Sequence, residues 1–149
     1  MTKGGFDDFQ VGEVFDTGGI TLTEAAIIDF ALTYDPQPFH IDREHAGKSM
    51  YGGLIASGFQ TMALSFRLFR DTGVLNACNI GGSGAEEVKW LKPVRPGDTL
   101  RVRVEILALE ASRTRPDRGR ARIGYTTLNQ NGEPVMTMVL NHILARRVG

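Results

Sequence analysis

The sequence predicts an α+β fold in which one antiparallel sheet packs around a long α-helix. From Gly52 to about Phe69, apolar side chains recur at helical spacing over a wide arc, and such a helix is usually buried. Residues 100–106 alternate apolar and charged side chains, which is typical of an antiparallel strand with one wet face. Asn131-Gly132 lies between two strand-like segments and predicts a hairpin turn. A helical first half followed by hairpin-joined strands favours the α+β class.

The N-terminal part predicts one short strand and one small helix. Residues 11–15 are strand-like within a Gly- and Asp-rich segment. Thr21 forms a capping-box pattern with Glu24, Thr23 is an alternative N-cap, and apolar residues then recur at three-to-four spacing. Pro36 ends this helix.

The C-terminal half predicts strands. They are expected at residues 88–91, 100–106, 123–127 and 135–144. Gly81-Gly82-Ser83-Gly84 is expected to be a mobile loop at the sheet edge; a phosphate-binding loop is rejected because no Gly-Lys-[Ser/Thr] follows. Without a repeat or low-complexity linker, residues 1–149 are expected to form one domain.

Composition argues against several classes of protein. The net charge is zero, with 17 basic and 17 acidic residues, which does not favour nucleic acid or an anionic membrane as partner. Cys78 is the single cysteine and fits a buried apolar position better than a nucleophile. The chain has no signal-peptide pattern and no apolar run of membrane-spanning length, so a cytoplasmic location is expected.

The segment from Asp35 to His40 is the candidate catalytic site. Pro36 and Pro38 fix two φ angles and remove two backbone donors, which makes the segment stiff. A stiff segment can hold a carboxylate and an imidazole at a set distance, as paired acid/base chemistry requires. The alternative is structural: Asp35 ends a helix and His40 is an ordinary packed or surface histidine.

Three motifs occur along the chain in a fixed order. They are Asp35-Pro36-Gln37-Pro38-Phe39-His40, Tyr51-Gly52-Gly53-Leu54-Ile55-Ala56-Ser57 and Pro93-Val94-Arg95-Pro96-Gly97-Asp98-Thr99-Leu100. Together they resemble the signatures of the MaoC-like dehydratases, a hotdog-fold family that includes the (R)-specific enoyl-CoA hydratases. Gln37 replaces the family's usual Asn, Phe39 replaces an aliphatic residue, and Tyr51 replaces a His.

The resemblance implies a single hotdog domain, with its sheet wrapped around the long helix. It implies reversible addition of water across the C2=C3 bond of a trans-2-enoyl thioester, which gives an (R)-3-hydroxyacyl thioester. Asp35 and His40 would be catalytic, and which of them is the base stays open. Coenzyme A enters as part of the substrate, with no other cofactor; an acyl-carrier thioester is the alternative substrate. A homodimer or larger homo-oligomer is expected, without nucleic acid or membrane partners.

Further residues are predicted to bind the substrate. Gly52 and Gly53 would begin the long helix, where their free N–H groups could hold the thioester carbonyl; close packing of helix on sheet is the alternative. The acyl chain would lie along this helix. The predicted substrate-binding residues are Gln37, Phe39, Ser57, Phe59 and Met62. No metal site is predicted, because His45 and His142 lack acidic or metal-ligand partners at useful spacing.

Basic residues leave two interpretations open. Five arginines lie within ten residues, at Arg113, Arg115, Arg118, Arg120 and Arg122. They form a solvated hairpin or a subsite for the phosphates of coenzyme A, for which Lys89, Lys92 and Arg95 compete. Two other functions also stay open: an acyl-CoA thioesterase on the same fold, and a non-catalytic acyl-CoA binding module.

Overall fold

The computed structural model describes residues 2–147. A short 3₁₀ helix at Phe6–Asp8 precedes the main elements. These elements are β1 (Val14–Asp16), β2 (Ile20–Thr21), α1 (Glu24–Tyr34), α2 (Pro38–Ile41), α3 (Arg43–Gly47), α4 (Gly58–Asp71), β3 (Asn79–Trp90), β4 (Thr99–Ala111), β5 (Arg118–Leu128) and β6 (Pro134–Ala145). Within this range none of the helices is both long and apolar enough to cross a membrane.

The strands form one antiparallel sheet in the order β1-β4-β5-β6-β3, and β2 pairs with β4 as well. The β5–β6 hairpin turns at Asn131-Gly132, where Gly132 has a φ of 73°. This positive φ suits glycine, which has no Cβ to clash. The predicted hairpin is therefore confirmed.

Helix α4 packs on the inner face of the sheet. Phe69 is fully buried and meets the Tyr125 ring edge to face, with ring centroids 5.7 Å apart. Ser65 lies on the same buried face, and its Oγ is 2.6 Å from Oγ1 of Thr127, so this polar pair is satisfied inside the core. The predicted α+β class, with a sheet packed around a long helix, is confirmed.

Boundaries near the N-terminus differ slightly from the sequence pattern. Thr23 is the N-cap of α1, where its Oγ1 accepts a hydrogen bond from the N–H of Ala26 at 3.0 Å. Thr21 instead belongs to β2 and pairs with Thr99. The first strand begins at Val14, three residues later than predicted.

The prediction of a loop at Gly81–Gly84 is wrong, because these residues lie within β3. Gly82 pairs with His142 and Gly84 with Asn141 on β6, although the register shifts between them. Long-range pairing with a neighbouring strand therefore outweighs the low strand propensity of glycine. Residues 88–91, predicted as a separate strand, form the end of β3 and the residue after it.

The start of the long helix is also corrected, from Gly52 to Gly58. Gly52 has a φ of 67° in a turn, and the chain then runs outside the helix to Ser57. The N–H groups of Ile55 and Ala56 donate to the carbonyls of Phe39 and Val94 at 3.2 and 2.8 Å. These tertiary hydrogen bonds hold the segment away from helical geometry.

Candidate active site

Asp35 lies at the C-terminal end of α1. Its N–H donates to the carbonyl of Ala31 at 2.8 Å, but its φ of −155° and ψ of 67° have left the helical region. Pro36 explains this ending, because a proline disfavours helical geometry in the residue before it. The carboxylate is thus fixed at a helix end.

His40 belongs to the one-turn helix α2, whose first residue is Pro38. A proline suits this position because its φ is already helical. The imidazole is buried, with 4% of the residue exposed, and Nδ1 lies 2.7 Å from the carbonyl oxygen of Ile55. Because a carbonyl oxygen only accepts, Nδ1 carries a hydrogen. Nε2 then faces Asp35, at 3.2 Å from Oδ2.

The contact between Asp35 and His40 can hold a proton between the two side chains. Nε2 lies 3.2 Å from Oδ2, within reach of a shared hydrogen. A pair that holds one proton in this way can accept a second proton while it donates the first.

Hydrogen bonds keep the pKa of Asp35 below its ordinary value. Burial is the largest single effect and raises this pKa. Hydrogen bonds from Gln37 and Ser57, together with the charge and hydrogen bond of His40, outweigh burial. Gln37 Nε2 donates to Oδ1 at 2.7 Å, and Ser57 Oγ donates to Oδ2 at 2.7 Å. Asp35 is consequently ionised at neutral pH.

Ser57 joins the acidic residue to the start of α4. It is the N-cap of that helix, and its Oγ accepts a weak hydrogen bond from the N–H of Phe59 at 3.3 Å. The same Oγ donates to Asp35. The side chain is fully buried, so the helix start and the carboxylate are held together without intervening solvent.

A cavity of about 400 Å³ opens beside Asp35 and His40. Helix α4 contributes Gly58, Phe59 and Thr61 to its wall. The remaining lining residues are Gln37, Phe39, Tyr51, Ile55, Ala56, Trp90, Leu91, Lys92, Pro93, Val94 and Val135. The wall is mostly apolar, with the carboxylate and imidazole as its main titratable groups, which is typical of a small-molecule site.

The structure brings some predicted site residues together and separates others. Gln37, Phe39 and Phe59 line the cavity, and Ser57 contacts Asp35. Met62 packs against the hydrophobic core and is not part of the cavity wall. The helical spacing of residues 52–69 indicated a buried helix face. It did not show which residues of that face line the cavity and which pack in the core.

Gly52 and Gly53 are not at the start of the helix and do not line the cavity wall. The N–H of Gly52 donates to the carbonyl of Ser49 at 3.1 Å. The free N–H groups of the helix N-terminus, on which their predicted carbonyl-binding role depends, begin at Gly58 instead. A role for Gly53 stays a prediction.

Sequence patterns missed Trp90 and Leu91 as residues of the cavity wall. Leu91, Lys92 and Val94 belong to the connection between β3 and β4, which forms part of the cavity wall. Nothing local in the sequence distinguishes Trp90 and Leu91 from an ordinary strand end. Their position in the cavity wall depends on the register in which β3 pairs with β6.

Ion pairing favours the solvated-hairpin interpretation of the arginine cluster. Arg118 pairs with Asp117, Arg120 with Glu110 and Arg122 with Glu86. None of these residues borders the cavity beside Asp35. Of the competing basic residues, Lys92 lines that cavity, and Arg95 lies next to it with Nη2 donating to the carbonyl of Tyr51 at 2.6 Å.

The remaining candidates are structural. Cys78 is buried, and burial raises the pKa of its thiol, which disfavours a thiolate. His142 is buried beside Tyr125, with Nε2 at 2.9 Å from the phenol oxygen. No cluster of three or more His, Cys, Asp or Glu side chains with metal-binding geometry occurs among residues 2–147.

Comparison with known proteins gives a consistent result. The family model of the MaoC like domain matches residues 8–127. The crystal structure of a MaoC-like dehydratase from Rhodospirillum rubrum superposes with a TM-score of 0.88 at 42% sequence identity, covering 95% of this chain and 96% of that one. More distant solved structures, at 24% and 20% identity, share the hotdog fold with TM-scores of 0.72 and 0.70.

Two curated relatives extend the comparison. The uncharacterized protein YdeM of Bacillus subtilis is 34% identical over 140 residues, which covers 94% of this chain and 98% of the relative. The 3-hydroxybutyryl-CoA dehydratase of Methylorubrum extorquens is 30% identical over 128 residues, which covers 81% of this chain and 72% of the relative.

Proposed function

The chain belongs to the MaoC-like dehydratase family, and from this we propose that it adds water reversibly across the C2=C3 bond of a trans-2-enoyl thioester to give an (R)-3-hydroxyacyl thioester. The observation that carries the proposal is the contact of 3.2 Å between Asp35 Oδ2 and His40 Nε2 at the wall of an apolar cavity. The dehydratases among its relatives support this reaction class.

The proton balance of hydration suits this pair. A water bound between Asp35 and His40 adds its oxygen to C3 while one group takes its proton and the other gives a proton to C2. The pair begins and ends with one shared proton, so no outside acid or base is needed. Because Asp35 is ionised, we assign it as the acceptor of the water proton and Nε2 of His40 as the donor to C2.

The developing charge on the thioester oxygen needs a hydrogen-bond donor. Gly58 is the first residue of α4 and lines the cavity. N–H groups in the first turn of a helix have no partner within the helix, and the helix dipole favours negative charge there. We therefore assign the carbonyl-binding role to the N–H of Gly58, with Gly53 as the second candidate.

The proposed substrate carrier is coenzyme A or an acyl carrier protein, and the proposal requires no other cofactor. The proposed assembly is a homodimer. Within the described residues β3 pairs only with β6, so its other edge presents unpaired backbone groups to a second copy. A cytoplasmic role in fatty acid metabolism is the setting that we propose.

The experiment that tests the proposal follows two thioesters. Incubation with crotonyl-CoA should remove the enoyl-thioester absorbance and yield the (R)-3-hydroxy product on chiral analysis. Incubation with butyryl-CoA should release no free thiol. Thiol release without loss of the enoyl absorbance would replace hydration with thioester hydrolysis.

A further inference from the structure

The edge strand β3 contains a bulge immediately before the cavity. Glu86 pairs with Val139 on β6, and Lys89 pairs with Thr137. Three steps along β3 thus match two steps along β6, which leaves one extra residue in β3. Glu87 lies in this interval and has a φ of 52°, in the left-handed region that a side chain rarely adopts.

The extra residue changes which side chains of β3 face the helix. Before the bulge, Ala85 lies opposite Leu140, which packs against the core. After the bulge, Trp90 lies opposite Met136, which is fully buried on the same inner face. Side chains alternate along a strand, so Ala85 and Trp90 could not share a face without one inserted residue. The bulge therefore turns Trp90 towards α4.

The indole of Trp90 lies directly against the backbone of Gly58. A Cβ added to Gly58 would be 2.4 Å from Cε2 and from Nε1 of Trp90, closer than any real contact allows. Only a glycine at the helix start leaves room for the ring. The indole also meets Phe59 edge to face, with centroids 6.1 Å apart.

Trp90 is nevertheless half exposed, at 52%, and its exposed surface borders the cavity that holds Asp35 and His40. The neighbouring wall on this side is apolar and is formed by Phe59, Leu91 and Val135. Such a surface suits a hydrocarbon chain.

We propose that Trp90 is a specificity-determining residue whose indole forms the wall against which the acyl group packs. This inference rests on the proposed function and deepens it. The bulge at Glu87 and the missing side chain at Gly58 place the indole in the wall of the cavity that also holds Asp35 and His40, where it restricts the length of acyl chain that can extend past C3. The preferred substrates are accordingly short enoyl thioesters.

The kinetic test compares the parent with Trp90→Ala on crotonyl-CoA and trans-2-octenoyl-CoA. Removing the indole should raise the ratio of kcat/KM for octenoyl-CoA to kcat/KM for crotonyl-CoA by about tenfold or more. The reason is that the enlarged pocket can bind several additional methylene groups of the longer acyl chain. Val11→Ala is the control: Val11 is an exposed apolar side chain that lies outside the cavity and outside β3, the edge strand of the proposed dimer. The control variant should have the same ratio of kcat/KM for octenoyl-CoA over crotonyl-CoA as the parent. An equal ratio in Trp90→Ala would overturn the inference.

A binding test needs no turnover. Trp90 is the single tryptophan of the chain, so the indole emission reports on this position alone. Titration of the parent with butyryl-CoA should change the emission, whereas coenzyme A without an acyl group should leave it nearly constant. If both ligands change it equally, or if neither does, the acyl group does not contact Trp90. A parent that binds butyryl-CoA in this way but hydrates no enoyl ester would refute the proposed function and keep the inference.

Discussion

The Oγ of Ser57, a fully buried side chain at the start of α4, donates to Oδ2 of Asp35 at 2.7 Å. This hydrogen bond stabilises the charged carboxylate and fixes the oxygen that also faces His40. The position of the long helix and the electrostatics of the candidate acid/base pair are therefore coupled through one hydroxyl.

Ser57→Ala should lower kcat/KM by about tenfold or more, the effect expected when a hydrogen bond to a charged group is lost. Loss of this donor raises the pKa of Asp35, so the carboxylate is protonated at a higher pH. The acidic limb of the plot of kcat/KM against pH therefore shifts to higher pH. Ser49→Ala is the control, since the Ser49 hydroxyl donates to the carbonyl of Ala46 and not to Asp35. An unchanged acidic limb in Ser57→Ala would show that this hydroxyl does not act on the reacting carboxylate.

Gln37→Ala should shift the same limb in the same direction, but by less. Gln37 Nε2 donates to the other carboxylate oxygen at 2.7 Å from an exposed position. Water can replace an exposed donor, whereas the buried hydroxyl of Ser57 has no such substitute. The pH dependence of kcat/KM for both variants checks this order. If the acidic limb shifts further in Gln37→Ala than in Ser57→Ala, then Gln37, and not Ser57, has the larger effect on the pKa of Asp35.

The buried His142 should make the fold less stable in mild acid. Burial lowers the pKa of His142 to about 4, below the ordinary value of 6.5. Between these two values the unfolded chain binds the proton and the folded chain does not, so the free energy of unfolding falls as the pH decreases from 6.5 towards 4. The loss expected between about pH 7 and pH 5 is about 1–2 kcal/mol.

Urea unfolding at both pH values checks this contribution. His142→Gln retains a polar partner for Tyr125 but cannot titrate, and it should lose part of the pH dependence even though its stability at neutral pH is lower. His45→Gln, at an exposed histidine in α3, should retain the full dependence. Equal pH dependence in His142→Gln and the parent would contradict the buried neutral state.

Local sequence predicts well where the controlling residues are neighbours. Pro36 and Pro38 act on adjacent residues, so the position of Asp35 at a helix end and the stiff turn to His40 follow from the sequence. The alternation in residues 100–106 likewise gives β4 and its buried face. In these places propensity and tertiary packing agree.

Prediction fails where distant residues control the backbone. The glycines at 81–84 join a strand because β6, about sixty residues later, supplies their partners. The start of α4 moves to Gly58 because Phe39 and Val94 bind the preceding N–H groups. Trp90 enters the cavity through an inserted residue that only the β3–β6 register reveals. None of these contacts leaves a local periodic signal.

Asp35 and His40 together should move the protons of hydration. The rate of enoyl absorbance loss with crotonyl-CoA tests this role in the parent, Asp35→Asn and Asp42→Asn. Asp42 caps α3 through a hydrogen bond from the N–H of His45 and does not line the cavity, and asparagine can replace it as a cap. Thermal melting should show that all three proteins are folded.

Asp35→Asn should lose at least about a hundredfold in kcat, the low end for removal of an acid/base group, while Asp42→Asn retains the parent rate. A folded Asp35→Asn protein that hydrates crotonyl-CoA at the parent rate would contradict a proton-transfer role for Asp35. A parent inert on crotonyl-CoA and on longer or branched enoyl esters would contradict it as well, and would favour a module that binds acyl-CoA without turning it over.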